Sequence, residues 1–342
     1  MQNKAAVMHD THDVRLEDVP VPEPGSNEVL VEIQAVGVCG SDVHYYEEGR
    51  IGSFVVREPL ILGHESMGTV VALGESATKH EVGERVTLEP GVPDGTCREC
   101  RAGRYNLCPN VRFFATPPID GAFTNYVSIN EDFAFSLPDE LSDNAGALME
   151  PLSVGIWACT KGRVTAGDHV LVTGAGPIGL VTMQVAFAQG ATEVTLTDVA
   201  GERLEIARQL GATRALNVAE EPLDKAGLEF DVLIECSGNE RALGDGIRCV
   251  RPAGSAVVVG MGPNEETSVP LAFIQTSEIL LTGTFRYANT YPTAIDLAAT
   301  GKVDLDGMVT SHYGLAETEE ALQASGKDPA NVKPMVIPDS SS

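Results

Sequence analysis

The segment that most constrains this chain is Gly174-Ala-Gly-Pro-Ile-Gly179, because of what flanks it. The apolar run Val170-Leu-Val172 precedes it, and Ile178-Gly-Leu-Val-Thr-Met183 opens a helical pattern after it. A strand, a G-x-G-x-x-G turn and a helix in that order form a dinucleotide fingerprint. Gly174 makes the tight turn, Gly176 lets the backbone approach a pyrophosphate, and Gly179 lets helix and strand pack closely. The helix N-terminus at Pro177 and Ile178 faces the phosphates. Asp198 ends the next strand about 20 residues further on, where a carboxylate bonds a ribose 2′-hydroxyl and repels the 2′-phosphate of NADP. Val199 follows it rather than an arginine. NAD is therefore the expected cofactor.

Around this loop the chain alternates. Strands are expected at 169–173, 193–197 and 215–218, with helices at 177–189 and 202–210 between them and further strands at 231–235, 256–260 and 279–283. Short apolar strands spaced by helix-length segments predict an α/β region with a doubly wound parallel sheet. Residues 1 to about 150 lack that alternation. They offer β-like runs at 29–35, 68–73, 85–88 and 123–128, divided by Gly and Pro, which predicts a mainly β domain. The boundaries are set at residues 1–152 and 153–285. Residues 286–342, with a helix at 292–299 and an apolar run at 332–337, are too short for a core of their own and are expected to return to the first domain.

A second constellation lies in the mainly β half. Cys39, His64 and Glu65 supply a sulfur, an imidazole and a carboxylate, three acceptable zinc ligands with a fourth position left for water or substrate. Glu150, near the domain junction, is placed to bind the metal or its water. Cys97-x2-Cys100-x7-Cys108 makes a separate cluster; three of the seven cysteines gathered this way point to metal rather than disulfides. No basic and apolar leader opens the chain and no apolar run reaches the roughly 20 residues of a spanning helix, so a cytoplasmic protein without a membrane segment is expected. Lys and Arg total 23 against 49 Asp and Glu, a net charge of −26. That field disfavours nucleic acid and anionic membranes as partners. Because the acidic residues are scattered rather than gathered in a tail, the balance also predicts adaptation to high salt.

These residues carry a resemblance. Cys39-Gly-Ser-Asp-Val-His-Tyr-Tyr46, Leu62-Gly-His-Glu65, Phe114-Ala-Thr-Pro-Pro118, Glu150-Pro-Leu-Ser-Val-Gly155 and Gly283-Thr-Phe-Arg-Tyr287 resemble the zinc-dependent medium-chain dehydrogenases over essentially the full length. Within them the chain is most similar to the sorbitol and xylitol dehydrogenases, in which glutamate stands at the position of Glu150. The resemblance implies a GroES-like catalytic domain beside a Rossmann domain, catalytic zinc on Cys39, His64 and Glu65, and Glu150 holding the zinc-bound water or joining the ligands. It implies a proton relay through Ser41 and His44, and a polyol pocket of Tyr45, Phe113, Glu150, Arg286 and Tyr287. NAD contacts would come from Ile178, Asp198, Arg203, the turn Val259, Gly260 and Met261, and the run Thr284, Phe285 and Arg286. The cysteine cluster resembles the family's structural-zinc lobe with Asp94 in place of its first cysteine, a chemically reasonable fourth ligand beside Cys97, Cys100 and Cys108. A homotetramer is implied by the resemblance alone.

The expected activity is NAD-dependent oxidation of a secondary hydroxyl of a xylitol- or sorbitol-type polyol to a ketose. Two alternatives stand beside it: a related zinc dehydrogenase acting on threonine, butanediol or an aldose, and an inactive relative that keeps the fold to bind NAD or serve as structure.

Overall fold

The computed structural model describes residues 2–223, 227–262 and 266–338. The chain divides into two compact units. The first comprises Met1–Glu150, Tyr291–Ala299 and Val309–Ser342; the second comprises Pro151–Thr290 and Thr300–Met308. Residues 286–290 and 300–308 of the terminal segment thus cluster with the nucleotide half.

The first unit is built on a seven-stranded sheet. Its path runs Ala134–Ser136, Arg85–Leu88, Glu65–Leu73, Glu28–Gly37, Pro334–Ile337 and Ser311–Gly314, with Tyr126–Asn130 also paired to Glu28–Gly37. Pairing is antiparallel except between Ser311–Gly314 and Pro334–Ile337, which run parallel. Strand Glu28–Gly37 is its spine, and two register shifts along its ladder with Glu65–Leu73 bend the pair. Val31, Ile33, Val36, Val70 and Val86 fill the core beneath it with Phe123. Such fully buried side chains each contribute about 1.5–3 kcal/mol relative to exposure. Register matters for the site, because it sets Gly37 opposite Glu65 and Met335 opposite Gly37.

The second unit contains a six-stranded sheet: His169–Thr173, Glu193–Asp198, Arg214–Asn217, Phe230–Glu235, Val250–Val258 and Leu280–Gly283. Numbered along the chain within this sheet, the strands lie in the order 3-2-1-4-5-6, all parallel. That is the doubly wound order whose direction reverses beside the first strand, where nucleotides bind. The central strands are apolar on both faces because both are covered. Leu171, Leu233 and Ala256 are fully buried, and helix Pro177–Ala188 is buried over Gly179 to Ala186. The fifth strand begins at Val250 and ends at Val258, so the expected span 256–260 is corrected: Val259 and Gly260 belong to the turn that follows.

Candidate active site

Helix Gly40–Glu48 begins immediately after Cys39, which serves as its N-cap, and it ends at Gly49 in the left-handed region at φ 69°. Its third residue, Asp42, is fully buried and ties two loops together. One carboxylate oxygen accepts the Cys39 N–H at 3.0 Å and the other accepts the Gly63 N–H at 2.9 Å. This brings Cys39 and His64, 25 residues apart in sequence, to one place. Asp42 Oδ1 also stands 3.7 Å from His64 Nδ1, which leaves Nε2 as the nitrogen free of that carboxylate.

Cys39, His64 and Glu65 bring one candidate ligand atom each within 4.8 Å of one another. Burial alone would lower the His64 pKa, but the charges of Cys39 and Asp42 outweigh it and raise it well above the ordinary value. Glu150 is buried in the first turn of helix Met149–Gly162 and is not a member of that tight group. Phe113 packs over the imidazole with ring centroids 5.6 Å apart, and Tyr45 is buried on the first helix. Ser41 is half-buried on the same helix, while His44 is exposed, its Nδ1 3.7 Å from Glu48. Glu65 has a partner that no local motif announces. Both of its oxygens accept from the ammonium of Lys333, at 2.8 and 2.6 Å, and both side chains are 1% exposed.

A second group of four lies in the same unit. Asp94, Cys97, Cys100 and Cys108 also bring their ligand atoms within 4.8 Å. The Asn110 side chain, with the N–H groups of Cys97 and Thr96, holds the Asp94 carboxyl well below the usual range, so it stays ionised. Cys97 and Cys100 place their sulfurs 3.4 Å apart. Thiols and an ionised carboxylate at this spacing form a donor set that suits zinc.

In the second unit the three glycines act differently. Gly174 has φ 90°, which favours glycine, and a Cβ there would lie 3.0 Å from Ser237. A Cβ on Gly179 would lie 1.8 Å from the Gly174 carbonyl oxygen. Gly176 is the N-cap of helix Pro177–Ala188 and would meet nothing within 4 Å, so the space above it is open for a phosphate group. Alongside lies a cavity of about 590 Å³, whose wall includes Gly174, Gly176, Asp198 and Arg203. Asp198 is already oriented: Ala175 N–H donates to one oxygen at 2.7 Å, and Val199 and Ala200 N–H to the other.

Ile178, the turn Val259 to Met261 and the run Thr284 to Arg286 are not in the wall of that cavity. The two segments follow the fifth and sixth strands, and Thr284 N–H donates to Val258 O at 3.0 Å. Arg286 has φ 53° and its guanidinium sits 4.8 Å from the Phe285 ring centroid; Tyr287 is buried. The cavity adds Ser237, Asn239 and Arg241, which sequence reasoning did not single out. Beneath them Glu235, 1% exposed, accepts from Ser237 N–H at 2.7 Å, from the Ser237 hydroxyl and from Gly238 N–H at 3.0 Å.

Residues 25–139 match the alcohol dehydrogenase GroES-like domain family and residues 177–300 the zinc-binding dehydrogenase family. The chain is 44% identical to the sorbitol dehydrogenase of Bacillus subtilis over 94% of its own length and 92% of that protein. It belongs to the zinc-dependent medium-chain dehydrogenases. The human sorbitol dehydrogenase is 45% identical over 95% of this chain and 93% of its own. Among solved structures, 2R,3R-butanediol dehydrogenase from Bacillus subtilis superposes with a TM-score of 0.90 at 30% identity, covering 98% of this chain and all of that one. The protein is thus an oxidoreductase of a class acting on CH–OH groups, with a GroES-like half and a Rossmann half.

Proposed function

We propose that this dehydrogenase oxidises a secondary hydroxyl of a xylitol- or sorbitol-type polyol to a ketose, with NAD as hydride acceptor. The observation that carries the reading is the convergence of half-buried Cys39 with buried His64 and Glu65, while Glu150, also buried, stands outside that tight group. Similarity to the sorbitol dehydrogenases over nearly the whole chain supports the substrate class. When bound, zinc lowers the pKa of an alcohol hydroxyl and NAD accepts the hydride.

The chain's own groups do the rest. Cys39, His64 and Glu65 hold the metal, and Glu150 holds a water beside it or joins the ligands. Tyr45, Phe113, Glu150, Arg286 and Tyr287 shape the polyol pocket. Arg286, with five donors, grips hydroxyls or cofactor rather than neutralising a carboxylate. Ser41 and His44 carry the released proton outward; Ser41 is half-buried and His44 exposed on one short helix, which supports that direction. For the cofactor, Gly174, Gly176 and Gly179 cradle the pyrophosphate beside Ile178, and Asp198 and Arg203 take the adenosine ribose. Val259, Gly260, Met261, Thr284, Phe285 and Arg286 line the nicotinamide end. The Asp198 carboxylate, fixed by three N–H groups, favours NAD over NADP.

The lobe of Asp94, Cys97, Cys100 and Cys108 takes a second, structural zinc in this reading. Residues 1–152 form the catalytic domain and 153–285 the NAD domain, and the terminal segment 286–342 returns to the catalytic domain through 291–299 and 309–342. A cytoplasmic homotetramer adapted to high salt completes it. Seven free thiols suit a reducing compartment. Edge strand Leu280–Gly283, with Leu280 and Leu281 more than a third exposed, offers a face for self-association.

The test is NADH formation across a panel of polyols, butanediol, threonine and simple alcohols in high KCl, before and after chelation. Polyol-selective turnover, lost on chelation and restored by zinc, is the expected result. Turnover confined to threonine or simple alcohols overturns the substrate class, and NAD binding without tight zinc or turnover points to the inactive relative. Elemental analysis should return two zinc ions per chain, and one would empty the lobe. Light scattering giving a monomer or dimer would remove the tetramer.

A further inference from the structure

Lys333 is buried where a charge is expensive unless it is fully compensated. Its three ammonium protons have three acceptors: the two Glu65 oxygens, and the Val38 carbonyl at 2.9 Å. The backbone around it is fixed on both sides. Lys333 N–H donates to the Thr310 hydroxyl at 3.0 Å, its carbonyl accepts Thr310 N–H at 3.1 Å, and the next residue's carbonyl accepts Val38 N–H at 3.0 Å. Opposite Glu65 in the sheet stands Gly37, where a Cβ would lie 2.1 Å from a Glu65 oxygen. The sheet leaves that space to the carboxylate. Glu65 therefore lies between two claims on its charge: an ammonium already in contact, and the cation position it shares with Cys39 and His64.

We propose that Lys333 is a positioning residue that keeps Glu65 an exchangeable ligand of the catalytic metal. The proposal rests on the metal reading above and deepens it. A carboxylate that leaves the metal normally has to be rehydrated or left unpaired in a buried site. Here it stays with a partner that is already hydrogen-bonded to both of its oxygens. Lys333 also sets a positive charge beside a cation site, which weakens the hold on the metal. Ordinary supporting partners of a metal ligand act the other way, and losing one typically costs about 10–100-fold in metal affinity. The two roles predict opposite signs.

The experiment is zinc release from the loaded enzyme into excess chromogenic chelator, for wild type, K333M, K333Q and K333R. Release from the cysteine lobe forms a separate phase, identified by its loss in C100S, and serves as an internal control. K333M should slow the catalytic-site phase by about tenfold or more and leave the lobe phase unchanged. K333R keeps the charge and should stay within about threefold of wild type. If K333M does not fold, K333Q decides, since its amide still donates to Glu65 without the charge; it should be slowed in the same way. Faster or unchanged release in a folded K333M or K333Q makes Lys333 a purely structural partner and overturns the proposal. A wild type that releases only the lobe's zinc overturns the metal reading itself, and this proposal with it.

Discussion

Glu235 shows how one side chain can organise a binding surface it does not line. Its carboxylate gathers the N–H groups of Ser237 and Gly238 and the Thr173 hydroxyl, and its backbone carbonyl accepts Val259 and Gly260 N–H, each at 2.9 Å. Three turns at the C-terminal ends of the first, fourth and fifth strands are thereby held by one residue. Replacing Glu235 with Gln keeps the oxygen that accepts most of these bonds, but it removes the charge that strengthens them and turns an amide toward Gly238 N–H, which the other oxygen meets at 3.3 Å, costing about 1–3 kcal/mol. The expected result is a lower unfolding temperature and NAD affinity reduced about tenfold by calorimetry, with zinc content unchanged; undiminished affinity would remove Glu235 from this role. Such a residue is hard to find in a sequence, because a glutamate ending an apolar strand carries no spacing rule. Cys39, His64 and Glu65 were legible because their atoms are zinc ligands by type and their neighbours form short motifs. Asp42 was only half legible: it lies inside one of those motifs, but nothing in the spacing says that it ties Cys39 to Gly63. Lys333 was invisible, since 268 residues separate it from Glu65.

At the scale of elements, parallel strands buried on both faces announce themselves as apolar runs, and their limits in the second unit fell within a few residues of expectation except at the fifth strand. The first unit is harder. Several of its strands are only two residues long, its spine is bent by irregular pairing, and helix Gly40–Glu48 is signalled only by its caps. The cysteine lobe is tethered to this sheet through Tyr105, whose hydroxyl donates to Glu89 at 2.7 Å at the end of strand Arg85–Leu88. Burial pushes the Glu89 carboxyl up to about 7 from 4.5, the Tyr105 bond opposes the rise, and the Glu150 charge adds to it. The native state therefore holds more protons than the unfolded chain between about pH 4.5 and 7, and stability falls as pH rises through that window. The size is on the order of 3 kcal/mol. Glu89→Gln, which keeps an acceptor for Tyr105, should flatten that dependence and leave the metal-free protein more stable than wild type at pH 8. Urea unfolding at pH 5 and pH 8 measures it, and an unchanged slope would rule the effect out.

At the scale of the whole molecule, a net charge of −26 repels itself unless counterions screen it. The unfolding temperature should rise by about 10 °C between low and molar KCl, a few kcal/mol for units of this size. Because the Debye length is already only about 3 Å at 1 M, most of the rise should come below that concentration. Stability that does not rise with KCl would end the high-salt reading. The return of the terminal segment was readable as a tendency, from its length and apolar run, but not the stretch 300–308 that clusters with the second unit. The path of that return also sets an order of construction. A ribosome that has passed residue 308 has made every strand of the nucleotide sheet. Cys39, His64 and Glu65 emerge far earlier, yet their unit still lacks Ser311–Gly314, Pro334–Ile337 and the ammonium of Lys333. The half translated first is thus completed last, and Cys39, His64 and Glu65 have their full surroundings only in the finished chain.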